Sequence, residues 1–86
     1  MDENIGIRVE RIHKLDSNKP LRGFADVSIA GSFIIKGLRI VNGREGMFVG
    51  MPQELGKDGK WYNTVSLTDE SLKKKLADVI LAAFAD

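Results

Sequence analysis

Eighty-six residues with 43% apolar content make one domain with enough apolar side chain for a core, which excludes a largely disordered chain. The absence of cysteine excludes a disulfide framework and a thiolate zinc site. Thirteen Lys plus Arg against twelve Asp plus Glu give a formal charge of +1, so bulk charge does not advertise a nucleic-acid binder, and any such role depends on where the charges sit.

In the first segment Ile5, Ile7 and Val9 alternate with Gly6, Arg8 and Glu10, the period of a half-buried strand. The phase flips at Ile12, which places a bulge, or the strand's departure from its sheet, near Glu10 and Arg11. "DSNKP" (Asp16 to Pro20) is turn chemistry. A second strand follows, with Leu21, Ala25, Val27 and Ile29 on one face and Arg22, Asp26 and Ser28 on the other. Phe24 is the exception, an aromatic on the polar face. "AGSF" supplies the glycine of a tight hairpin centred on Gly31-Ser32.

The third strand, Phe33 to Val41, points Ile34, Leu38 and Ile40 one way and Phe33, Ile35 and Val41 the other. The fourth, Met47 to Met51, is also apolar on both faces, as expected of strands covered on both sides. Between them "NGREG" offers Asn42-Gly43 and Gly46 for a hairpin loop, and Pro52 lacks the amide that would extend the ladder. Asp58-Gly59 reads as a turn into a short strand from Trp61 to Val65.

A helix then follows over about 69–85, with Thr68 as N-cap and Asp69 and Glu70 in the first turn. Leu72, Leu76, Val79, Ile80, Ala83 and Phe84 form one apolar stripe, and Glu70–Lys74 and Lys74–Asp78 are spaced to pair on the outer face. The reading is a single α+β domain over 1–86. It has an antiparallel meander of about five strands within roughly 5–66 and one C-terminal amphipathic helix. One helix covers one face of the sheet, so the third and fourth strands need cover from elsewhere. A second copy of the chain supplies it in the expected homodimer; the alternative is that the loop before Trp61 folds back as a lid. The longest apolar run, "VILAAFA", is far short of the ~20 residues of a membrane helix. No basic-plus-apolar leader is visible, so a cytoplasmic protein without membrane association is expected.

Nothing nominates catalysis. His13 is the only histidine and reads as a surface or packing residue. There is no nucleophile elbow, and the acids Asp16, Asp26, Glu45, Glu54 and Asp58 fall in turns or on polar faces. "GREG" lacks the context of a phosphate loop. No metal, cofactor or small-molecule substrate is expected. Among the basic residues, Arg8, Arg11, Lys14, Lys19 and Arg22 gather on the first two strands and their turn. Lys57 and Lys60 flank Asp58-Gly59, and Lys73, Lys74 and Lys75 are consecutive in the helix. Three adjacent helical residues span about 200°, so they cannot all face one partner; Lys73 lies beside the apolar stripe while Lys74 and Lys75 point outward. The run is either a solvated face or a phosphate-contacting patch, in which Lys57 and Lys60 join Lys74 and Lys75 if the loop packs near the helix start. Trp61 and Tyr62 next to Lys60 are either stacking surfaces for unpaired bases or, for Trp61, a core plug.

"FADVSIAGSFIIKGLRIVNGREGMFVGMP" (Phe24 to Pro52) resembles the strand–hairpin–strand signature of the stage V sporulation protein G family. The "F.I.GLR" run around Phe33, Leu38 and Arg39, the "G.FV.MP" ending and the later "DG.W" carry the resemblance, which extends from Ile7 to Phe84. It implies a small α+β dimer that binds DNA and RNA and regulates gene expression and septation. The basic residues would be those of the loop after "MP" and of the C-terminal helix, here Lys57, Lys60, Lys73, Lys74 and Lys75. The chain departs from the family pattern in two places. Gln53, Glu54 and Leu55 stand where many members carry a basic pair, and "YNTVSLTD" stands in place of the commoner "DIAHPI". A protein–protein regulatory module without nucleic-acid binding is the alternative reading.

Overall fold

The computed structural model describes residues 6–85; Ile5, assigned to the first strand from its alternation, lies outside them. The elements are β1 (Ile7–Lys14), β2 (Leu21–Ile29), β3 (Phe33–Gly43), β4 (Gly46–Gly50), β5 (Gln53–Leu55), β6 (Trp61–Asn63) and α1 (Glu70–Ala85). Strands β1 to β4 form an antiparallel meander in chain order, while β5 and β6 pair only with each other. The class is α+β, as the periodicity indicates. The strand that starts at Trp61 does not extend the meander: it forms a separate ribbon with β5, a strand the periodicity does not reveal.

Three one-residue bulges set which side chains face the helix. The first is at Glu10, where Val9 pairs with Val27 but Arg11 with Asp26, and this is the place the phase flip marked. The second is at Arg22, between Leu21↔Val41 and Gly23↔Ile40. The third, in β3, places two residues, Lys36 and Gly37, between Ile35 and Leu38 against one, Asp26, between Val27 and Ala25. Gly37 sits there at φ +80°, a conformation that side-chain-bearing residues adopt at a cost. Its amide donates to Asp26 Oδ1 at 3.0 Å, which satisfies a donor the bulge removes from the ladder. The extra residue corrects the expected face of β3. Ile35, not Ile34, joins Leu38 and Ile40 in the core, and Ile34 is left 52% exposed.

The β2–β3 turn is also one residue earlier than expected. Ala30 and Gly31 take positive φ (56° and 65°), and the Ser32 amide closes onto the Ile29 carbonyl at 3.0 Å.

The core is one layer between sheet and helix. Ala25, Val27 and Ile29 of β2, Ile35, Leu38 and Ile40 of β3, and Leu76 and Ile80 of α1 form a single buried cluster. Ile7, Val9, Ile12, Val49 and Phe84 pack around it. Each fully buried aliphatic side chain contributes roughly 1.5–3 kcal/mol. The helix begins one residue later than Thr68 would place it, because Asp69 is the cap. Asp69 Oδ1 accepts from the Ser71 amide (3.0 Å) and hydroxyl (2.8 Å). The Ser71 hydroxyl first, then the Leu72 and Ser71 amides, hold the Asp69 carboxyl below its ordinary value.

Among the described residues no helix covers the other face of the sheet, and the β5–β6 ribbon borders only part of it. There Ile34 and Phe48, on β3 and β4, are 52% and 48% exposed.

Candidate nucleic-acid interface

Two sets of expected lysines occupy different environments. Lys57 and Lys60 lie at the exposed tip of the β5–β6 hairpin. Asp58 builds this tip. Its Oδ1 accepts the Lys60 amide at 3.0 Å, and its Oδ2 accepts the Tyr62 hydroxyl. Gly59 takes φ +83°, and the Gly56 amide donates to the Lys60 carbonyl at 2.7 Å. The Tyr62 hydroxyl, then the Lys60 amide, pull the Asp58 carboxyl below 3.8, its ordinary value. The Asp58 carboxylate is thus committed within its own loop, and neither Lys57 nor Lys60 forms an ion pair among the described residues.

The helix lysines are all exposed, but their charge is partly answered. Lys73 Nζ lies 3.3 Å from Glu70 and Lys74 Nζ lies 3.1 Å from Asp78. The second pair is the one the spacing gave; Glu70, expected to reach Lys74, turns to Lys73 instead. Helix α1 packs on β1 and β4, while Trp61 of the hairpin turns to the opposite face of the sheet. Three basic residues of the first strands are likewise engaged: Arg8 lies 4.0 Å from Glu10, Lys14 Nζ is 5.3 Å from the Phe84 ring centre, and Arg22 donates to the Ser17 carbonyl at 3.0 Å.

On the uncovered face the ladder aligns one residue from each strand, His13↔Phe24↔Arg39↔Gly50. The Arg39 side chain lies across Gly50, where a Cβ would collide with the guanidinium. Its Nε donates to the Met51 carbonyl at 3.2 Å, so the guanidinium is anchored on the sheet, and its other N–H groups have no hydrogen-bond partner among the described residues. The β5–β6 ribbon closes one side of this row. Leu21, Phe24, Gly37, Arg39, Gln53 and Trp61 together line an open cleft of about 310 Å³. Trp61 is 62% exposed, so it is not a core plug. Gln53 donates to Asn63 Oδ1 at 3.0 Å, which holds the amide side chains of both strands of the ribbon together.

Residue patterns alone missed Arg39 and the cleft. The one available sign was Phe24, an aromatic out of place on a polar face. His13 lines a shallow depression with Arg11, Phe24 and Asp26. Among the described residues no group of three or more His, Asp or Glu side chains could hold a metal ion, and no helix is long and apolar enough to cross a membrane.

Comparison with known proteins places this architecture. Residues 5–86 match the family model SpoVG. The chain is similar to a protein of Archaeoglobus fulgidus named "Putative septation protein SpoVG", 32% identical over 76 residues that cover 88% of this chain and 89% of that protein. It is similar to SpoVG 1 of Listeria monocytogenes, 26% identical over 86% of this chain and 72% of that protein. The SpoVG of Priestia megaterium is 24% identical over 86% of this chain and 77% of its own length. Both carry the same septation-protein name. With a family model spanning the sheet, the hairpin and the helix, and a relative matched over nearly its whole length, the chain belongs to the SpoVG family.

Proposed function

We propose that this chain is a homodimeric, cytoplasmic DNA- or RNA-binding regulator of gene expression and septation that performs no chemistry. The septation names of its relatives support the biological role. The observation that carries nucleic-acid binding is the hairpin tip. Lys57 and Lys60 are exposed on a loop whose own carboxylate, Asp58, is tied to Lys60 N–H and Tyr62 O–H. Phosphate contact from such a loop needs no ion pair to be broken first. The helix lysines Lys73 and Lys74 must leave Glu70 and Asp78, so they add less. Phosphate contacts position the ligand and supply affinity without sequence information.

The dimer is supported by the sheet's uncovered side. Strand β4 pairs only with Arg39–Gly43 of β3, which leaves the outer edge of β3 from Phe33 to Lys36 without a neighbouring strand among the described residues. Phe33 and Ile34 are exposed along that edge. An apolar open edge is the kind of surface a second strand covers.

The test is a fluorescence-polarisation titration with labelled oligonucleotides. Lys57→Glu/Lys60→Glu weakens binding at least about tenfold while light scattering still gives the dimer mass. Lys74→Glu/Lys75→Glu weakens it less. Unchanged affinity in both double variants would refute the assignment.

A further inference from the structure

We infer that the cleft between the open sheet face and the β5–β6 ribbon is a stacking site for one unpaired nucleobase and its phosphate; this rests on the nucleic-acid-binding reading above. Three observations converge there. The first is the aromatic lining. Trp61 of the ribbon and Phe24 of the sheet border the same space as Leu21 and Gln53. Trp61 keeps most of its surface in solvent although it is the largest apolar side chain in the chain. Aromatic platforms of this sort bind bases whatever their sequence, since every base has a π face.

The second observation is charge. Arg39 lies in the cleft at the centre of the His13–Phe24–Arg39–Gly50 row, fixed through one nitrogen to the Met51 carbonyl. Its remaining N–H groups can meet a phosphate, for which a planar guanidinium is suited. Arg11 and His13 lie beside Phe24 on the same face, and Lys60 precedes Trp61 in the ribbon. Of the acids on this face, Asp26, beside Phe24, has Oδ1 engaged by the Gly37 amide at 3.0 Å, and Glu10 lies 4.0 Å from Arg8. The acid on the ribbon, Glu54, pairs in register with Tyr62 rather than with Trp61.

The third observation is selectivity. Gln53 lines the cleft and is hydrogen-bonded to Asn63. Together they place amide groups, able both to donate and to accept, at the edge of a base stacked on Trp61. A duplex keeps its bases stacked on one another, so it cannot use this site. The lysine tip would therefore bind single and double strands alike, and the cleft would add a preference for the single strand.

The sole tryptophan makes the test local. Wild-type protein is titrated with a fluorescein-labelled ten-residue oligothymidylate and with a duplex of mixed sequence, while polarisation and tryptophan emission are followed separately. Polarisation rises with both ligands, and tryptophan emission is quenched only by the single strand. Trp61→Ala weakens single-strand binding about tenfold and leaves duplex binding within about twofold, and Trp61→Phe restores most of the single-strand affinity. If polarisation rises but emission does not change, and Trp61→Ala binds both ligands as wild type does, the cleft assignment is overturned while nucleic-acid binding stands. If polarisation rises with neither ligand, both are overturned.

Discussion

Gly23→Ala is the substitution for which the packing gives the sharpest expectation. Gly23 lies on β2 against β1, and a Cβ there would sit 2.6 Å from the His13 carbonyl oxygen and 3.2 Å from Phe84 Cε1. The favourable separation for such atoms is roughly 3.5–4 Å. Phe84, on the last turn of α1, can yield by a rotation of its ring. The His13 oxygen belongs to the backbone of β1 and can move only if the His13↔Phe24 and Lys14↔Gly23 pairs open. Overpacking of this kind costs about 1–3 kcal/mol. Weakening one ladder hydrogen bond adds about 1 kcal/mol. Against this, replacing a strand glycine with alanine returns about 0.5–1 kcal/mol. The net loss is about 1–3 kcal/mol. With a urea dependence of about 1 kcal/mol/M for a small domain, the unfolding midpoint falls by about 1 M or more. Gly6→Ala is the control, since its Cβ would meet nothing within 4 Å, and it shifts stability by less than about 0.5 kcal/mol. A Gly23→Ala midpoint equal to or above wild type would refute the contact between β1, β2 and the end of α1.

Two further expectations concern carboxylates. Asp69→Ala removes the helix cap and lowers the thermal midpoint by several degrees, whereas Asp69→Asn, which keeps an acceptor, recovers most of the loss; equal midpoints for Asp69→Ala and wild type in a circular-dichroism melt would contradict the cap. Asp58 has its folded pKa below 3.8, chiefly through the Tyr62 hydroxyl. The support it gives the loop is therefore complete above that value and is lost as pH falls through the lower, folded one. Amide exchange at Gly59 and Lys60, followed by NMR from pH 6 to pH 2, shows the tip opening in acid before the sheet does. An Asp58→Asn variant with the same acid profile as wild type would refute that role.

How much of this was legible depended on whether one face of a strand was polar. The Glu10 bulge could be read because Ile7 and Val9 alternate with polar residues, so the phase change at Ile12 was visible. The Gly37 bulge could not, because Ile34 and Ile35 are both apolar and either could have been the inward one. The structure chose Ile35 once Gly37 took up positive φ and Asp26 accepted its amide. Thr68 and Asp69 are both competent caps, and only geometry separates adjacent candidates. Lys57, Lys60, Lys74 and Lys75 were legible as clustered charges and Lys73 through the family resemblance, and all five are exposed. Their ion pairs were half legible, since the spacing gave Lys74–Asp78 but not Lys73–Glu70. The cleft was out of reach for a different reason. It joins Leu21 and Phe24 of β2, Arg39 of β3 and Trp61 of the separate ribbon, and the β2–β3 register that aligns the first three is set by the bulges.

The salt dependence of duplex binding tests the central claim most directly. The slope of log affinity against log salt counts the phosphates neutralised, at about 0.9 per contact. Comparing wild type with Lys57→Gln/Lys60→Gln, the account predicts a slope shallower by about two in the variant, with the fold and dimer mass unchanged. Identical slopes for the two proteins would contradict phosphate contact by the hairpin tip.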